Sequence, residues 1–151
     1  MKCPSRALGL GILVWVAACT RSDPDVPSVL VFKSSSCTCC ARWIQHLSEA
    51  GIVVKSRDID SVVQVKKRIG VPVSLSSCHT GRVDGYFVEG HVPVEDIKRL
   101  LRERPDAKGL AVPGMPGGSP GMESPTRPSE PYDVLLVQHD GRTTVFAHHG
   151  T

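Results

Sequence analysis

Four cysteines in the body of this chain have the type and spacing to do chemistry. They are Cys37, Cys39 and Cys40 in the run Cys37-Thr38-Cys39-Cys40, and Cys78, which His79 follows directly. Cys37-x-x-Cys40 opens a helical pattern, so its sulfurs lie at a helix N-terminus. Unpaired N–H groups and the helix dipole favour negative charge there. Thiol pKa values fall, and thiolates form near neutral pH. A thiolate is both a nucleophile and a soft metal ligand. A dithiol oxidoreductase needs only two sulfurs, with Cys37 attacking and Cys40 resolving. A third thiol, Cys39, would invite wrong disulfides during turnover, which argues for a metal. Three clustered thiolates favour soft Cu(I), and also accept Zn(II). In an oxidising compartment the same residues allow two structural bridges, Cys37–Cys40 with Cys39–Cys78. Adjacent Cys39 and Cys40 are poor partners, because their bond geometry would be strained.

These side chains must be positioned by regular elements. Val29 to Phe32 is a short apolar run that reads as a buried strand. Cys40, Trp43, Ile44, Leu47 and Ala50 recur on one helical face, and Gly51 is a stop. Ile52 to Val54 is a second strand. Asp58, Asp60 or Ser61 can cap a helix carrying Val62, Val65 and Ile69, closed by Gly70. Val71 to Thr80 holds a turn or short helix. Asp84-Gly85 between Arg82-Val83 and Tyr86-Phe87-Val88 signals a hairpin. Pro93 suits a first helical position, with Glu95 and Asp96 early and Arg99, Arg102 and Arg104 late. Val94, Ile97, Leu100 and Leu101 form that helix's apolar stripe.

Residues 105–131 hold seven Pro and five Gly, 12 of 27, and no regular element is expected there. Val134 to Val137 and Thr143 to Phe146 flank His139-Asp140-Gly141 as a second hairpin. His148 and His149 read as a frayed end, His46 and His139 as surface residues, and Trp43 and Tyr86 as core. The order β-α-β-α-β-β-α, then a long loop and a β-hairpin, predicts an α/β, thioredoxin-like mixed sheet with flanking helices. In such folds the loop before the third strand faces the cysteine motif, which puts Cys78 and His79 beside Cys37–Cys40. That loop usually offers a cis-proline; here Pro72 lies six residues before Cys78, so none is expected.

The N-terminus reads as an address. Lys2 and Arg6 precede an eleven-residue apolar run, Leu8 to Ala18. A membrane span needs about 20 residues. The run fits a secretory signal ending in small residues. Val16-Ala17-Ala18-Cys19 resembles a bacterial lipobox, which implies cleavage before Cys19 and a lipid on its sulfur. Thr20 in the next position implies the outer membrane by the usual sorting rule; plain secretion is the alternative. The expected organisation is a signal over 1–18, a tether over 19–28, a thioredoxin-like domain over 29–104, a Gly/Pro/Met loop over 105–131 and a hairpin over 132–151 completing that domain. Net charge is +3 with Lys2 and Arg6 and +1 without them. With 5% aromatics and no basic cluster, nucleic acid is excluded as a partner. Glu123 and Asp58 have no second carboxylate at useful spacing, and no phosphate loop, HExxH or Gly-x-Ser-x-Gly occurs.

Several further runs complete the pattern. Ser77-Cys78-His79-Thr80, Gly85-Tyr86, Glu89-Gly90-His91-Val92-Pro93, Gly109-Leu110-Ala111-Val112-Pro113-Gly114-Met115-Pro116 and Gly118-Ser119-Pro120-Gly121-Met122-Glu123 follow the CxCC motif in that order. Together they resemble the CopG-type bacterial copper-resistance proteins, a family long classed as a domain of unknown function. The resemblance spans about residues 29–147. It implies a periplasmic, thioredoxin-like protein that binds copper ions and works with other envelope copper-handling proteins. Cu(I) would be held by Cys37, Cys39, Cys40 and Cys78 with Met115, Met122, His79 and His91, in one or several metal positions. It also implies redox activity on copper, with Cu(II) accessible through the His and Met ligands. Zinc is the lesser expectation. Two departures stand out: Thr38 replaces a usual Gly, and Gly117 stands where a larger residue, sometimes Met, is common.

Overall fold

The computed structural model describes residues 28–150. The expected signal, the lipid-acceptor Cys19 and the tether up to residue 27 lie outside the described residues. The elements run β1 (Ser28–Lys33), α1 (Thr38–Glu49), β2 (Val53–Asp58), α2 (Val62–Ile69), a 3-10 turn (Val73–Leu75), β3 (Thr80–Val83), β4 (Tyr86–Glu89), α3 (Val94–Glu103), β5 (Gly109–Ala111), β6 (Tyr132–Val137) and β7 (Thr143–His149). The strands form one mixed sheet in the order β2-β1-β3-β4-β5-β6-β7. β1 runs parallel to β2 and antiparallel to β3, and β3 pairs antiparallel with β4. This is the thioredoxin-like α/β arrangement that the element order predicts.

Strand alternation sends side chains to two cores. On one face Val29, Val31, Val88, Leu110 and Val134 pack with Trp43 and Leu47 of α1 and Ile97 and Leu100 of α3. On the other, Phe87, Ala111 and Val137 pack with Val71 and Leu75 beside the 3-10 turn. Trp43 is fully buried, and its indole N–H donates to the Val92 carbonyl at 2.8 Å. That bond ties α1, which carries the cysteines, to the segment leading into α3. The Asp84-Gly85 hairpin forms as expected, both residues having positive φ (47° and 89°).

Four expectations need correction. Residues 105–131 do contain a strand: β5 lies between β4 and β6, and all three of its residues are buried. Gly109 there approaches the Phe87 backbone too closely for any side chain, so this glycine admits the strand instead of breaking it. The C-terminal histidines are not frayed. β7 extends to His149, which bonds Asp96 Oδ2 at 2.6 Å and stacks on Tyr132. Pro93 precedes α3 as its extended cap residue, with ψ 147°, instead of opening the helix. Ser61 stands at the α2 N-cap, but its side chain makes no capping bond.

Candidate metal centre

Cys37 is the N-cap residue of α1, with extended backbone at φ −77°, so the sulfurs of the motif cluster around the first helical turn. Cys37 and Cys40 are joined in a disulfide. Cys40 is fully buried, in line with Trp43 and Leu47, as the helical spacing requires. Cys39 and Cys78 form no disulfide among the described residues. Cys39 Sγ lies 3.5 Å from Cys37 Sγ and 3.9 Å from Cys78 Sγ. The ligand atoms of Cys37, Cys39, Cys40 and Cys78 all fall within 4.8 Å of one another. A second group of the same compactness is Cys78, His79 and His91. The two groups share Cys78, so the loop before β3 faces the motif as predicted.

The histidines are more deeply placed than Cys37, Cys39 and Cys78. His79 and His91 are both fully buried. His79 Nδ1 and His91 Nε2 each approach Cys78 Sγ to 3.2 Å. His91 Nδ1 lies 2.8 Å from the Pro120 carbonyl, which can only accept, so Nδ1 carries the proton. Nε2 of His91 is then a bare lone pair aimed at Cys78, the arrangement of an oriented metal-binding imidazole. His79 Nε2 is buried with no hydrogen-bond partner among the described residues, a state a native core rarely leaves unexplained.

Electrostatics set the metal-free protonation. Burial holds both imidazoles below their ordinary pKa, His79 strongly, helped by His91 and by the positive charge of Lys66. Both are neutral at pH 7 and able to ligate. Burial, with the nearby Cys39 sulfur, pushes the Cys78 thiol up to about 12. Cys78 is therefore a protonated thiol without metal, and a bound cation would displace that proton. The fall in thiol pKa expected of a helix start does not extend to Cys78, where loss of water contact and the neighbouring Cys39 act in the opposite direction.

The structure ties the Met-bearing loop to the site through its backbone. Ser77 Oγ donates to Gly114 O at 2.6 Å, beside Met115, and Pro120 O receives His91. A methyl group on Gly121 would stand 2.8 Å from both Cys39 O and Trp43 N, so residue 121 lies flat on the first turns of α1. Met122 beside it is half-buried, whereas Met115 is 47% exposed.

Three residues that sequence reasoning passed over support Cys78 and His79. Lys66, Thr80 and Glu89 are buried, and Lys66 Nζ meets Glu89 Oε1 at 2.5 Å. A signal existed: Lys66 falls on the same face as Val62, Val65 and Ile69, where a helix turned to the core should be apolar. The Pro120 carbonyl that orients His91 carried no such signal, since any residue supplies one.

Fold and site together define a thioredoxin-like α/β protein in which the usual cysteine motif is enlarged into a compact sulfur and imidazole cluster able to hold a soft metal ion. Residues 75–122 match a family described as a protein of unknown function, DUF411. Two solved structures are similar over the full length of their own chains. Copper resistance protein CopG, form 2, is 45% identical, covers 83% of this chain and superposes with a TM-score of 0.79. Form 1 of the same protein is 45% identical, covers 84% and gives 0.78. The chain belongs to this CopG copper resistance family. No curated protein matches the sequence.

Proposed function

We propose that the protein binds copper as part of copper resistance, holding Cu(I) through Cys37, Cys39, Cys40 and Cys78, with His79, His91, Met115 and Met122 completing the coordination. The observation that carries this reading is the convergence of four cysteine sulfurs within 4.8 Å in a member of that family. Soft thiolates select Cu(I), while the two neutral imidazoles offer borderline nitrogen donors that Cu(II) also accepts. Closing the Cys37–Cys40 disulfide withdraws two of the four sulfurs and leaves Cys39, Cys78 and the imidazoles. Opening it restores the full set, so copper capacity would follow the redox state of that pair. The working place would be the periplasm, with the lipidated Cys19 holding the domain at the outer membrane.

The test is an anaerobic Cu(I) titration of the fully reduced protein against a competing chelator, with Zn(II) in parallel. Tight binding of Cu(I), weakened in Cys39→Ser and in Met115→Ala/Met122→Ala, is the expected result. Weak binding, or equal preference for Zn(II), would refute the copper reading.

A second reading draws support from the disulfide itself. Cys37 and Cys40 stand as the redox pair of a thiol–disulfide oxidoreductase. It is discriminated by Cys39→Ser, which should leave disulfide reduction intact if this reading holds.

A further inference from the structure

The two cysteine-bearing segments are held differently. The helix motif is fixed by α1, but Cys78 and His79 lie in irregular chain between the 3-10 turn and β3. Such a segment normally faces solvent and moves. Here His79 is fully buried, and the flanks of the dipeptide converge on one side chain. Glu89 Oε1 accepts the Ser77 backbone N–H at 2.5 Å. Glu89 Oε2 accepts the Thr80 hydroxyl at 2.6 Å. Lys66 Nζ donates to the same Glu89 at 2.5 Å and to Thr80 Oγ1 at 2.9 Å. Thr80 and Glu89 are cross-strand partners, and Gly90 N–H donates to His79 O at 3.2 Å. One carboxylate thus spans the Cys78-His79 dipeptide, gripping the residue before it and the residue after it.

Stability does not account for this arrangement. A buried ion pair is weak evidence for stability, because desolvating both charges offsets most of their attraction. An apolar pair at the α2–β4 contact would serve the core as well. What an apolar pair lacks is an acceptor for Ser77 N–H and Thr80 Oγ1 together. Ser77 also carries the order outward, since its hydroxyl bonds Gly114 O beside Met115.

We infer that Glu89, neutralised by Lys66, is the positioning residue of the metal centre: it locks Cys78 and His79 into ligand geometry before any metal arrives. Thr80 is its second anchor. The inference rests on the copper reading for its consequence, and on geometry alone for the clamp itself. Partners of this kind change metal affinity by about 10–100-fold when lost.

The test uses variants that remove both charges together. Lys66→Met/Glu89→Leu leaves no unpaired buried charge and no acceptor for Ser77. Lys66→Met/Glu89→Gln restores an amide oxygen at that place. Backbone hydrogen exchange of the metal-free protein and Cu(I) affinity by chelator competition are read side by side. In the Leu variant, exchange at residues 77–80 should rise at least tenfold while β1 and α3 stay protected. Cu(I) affinity should fall about 10-fold or more, and the Gln variant should recover most of both. Thr80→Val removes one anchor with little change in volume, so it serves if the Leu variant does not fold. It should raise exchange at residues 79 and 80 and lower Cu(I) affinity severalfold. Affinity within twofold of wild type in a folded Leu variant, or in Thr80→Val where the Leu variant does not fold, would overturn the inference. So would exchange that rises uniformly over the sheet, since that marks a core contact without a positioning role. If wild-type protein binds no Cu(I), the copper reading fails, while local exchange still decides the clamp.

Discussion

Gly121→Ala tests how the Met-bearing loop reaches the metal centre. Gly121 has φ +85°, and an added Cβ would lie 2.8 Å from Cys39 O and Trp43 N, both backbone atoms of α1. The left-handed backbone costs alanine about 1–2 kcal/mol. Overpacking against atoms that cannot rotate away adds about 1–3 kcal/mol. The sum is about 2–5 kcal/mol, or roughly 8–20 °C in Tm for a domain of this size. The strain can relax only by lifting the loop from α1. That movement pulls Pro120 O from His91 Nδ1, frees the imidazole to turn, and should lower Cu(I) affinity about tenfold. Gly51→Ala is the control, because Gly51 has a similar φ of +83° with nothing among the described residues within 4 Å of the added carbon. It should lose only the backbone part, roughly 4–8 °C, with unchanged Cu(I) affinity. Calorimetry and chelator competition on the two variants decide the matter. If Gly121→Ala is no less stable than Gly51→Ala and binds Cu(I) like wild type, the packing of this loop on the cysteine helix does not organise the site.

Three further outcomes follow from the same geometry. Cu(I) bound per chain should be higher in the dithiol form than in the Cys37–Cys40 disulfide form, and Cys37→Ser/Cys40→Ser should match the lower value under reducing conditions; equal stoichiometry in all three would separate the disulfide from the copper site. Burial holds His79 and His91 below their ordinary pKa of 6.5, so the unfolded chain binds more protons than the folded one as pH falls below 6.5. Metal-free protein should therefore have full stability from these groups above pH 6.5 and lose it progressively toward pH 5; a Tm that stays level over that range would contradict the neutral, buried imidazoles. Burial raises the Asp96 carboxyl pKa, against the opposing pull of its His149 bond, so the charge is a net burden once pH exceeds that raised value. Asp96→Asn keeps an acceptor for His149 and should leave stability at pH 7 within about 1 kcal/mol of wild type, whereas His149→Phe strands Asp96 and should cost about 1–3 kcal/mol, both read by urea unfolding.

Local patterns in the chain carry much of the fold. The face Cys40, Trp43, Leu47 specifies α1, because helical period and burial act within a dozen residues. Asp84-Gly85 specifies its hairpin for the same reason, the turn's positive φ values being a property of two residues. The four cysteines and His79 were legible as one site because thiols at a helix start and a Cys-His pair before the third strand meet in any thioredoxin-like sheet. Composition misled over β5, where glycine permits close strand approach instead of marking a loop, and at His149, whose partner Asp96 lies 53 residues away.

Residue type and spacing thus determined the kind of chemistry: soft sulfur at a helix N-terminus, with imidazole at hand. Tertiary structure decided which atoms point where. It put Pro120 O against His91 Nδ1, so that Nε2 faces Cys78. It buried Lys66 and Glu89 beneath the Cys78-His79 loop, a pairing of α2 with β4. It also withdrew the Cys78 thiol from water beside Cys39, which raises its pKa. Each of these depends on distance and desolvation between segments far apart in the chain, and neither quantity is written in local sequence.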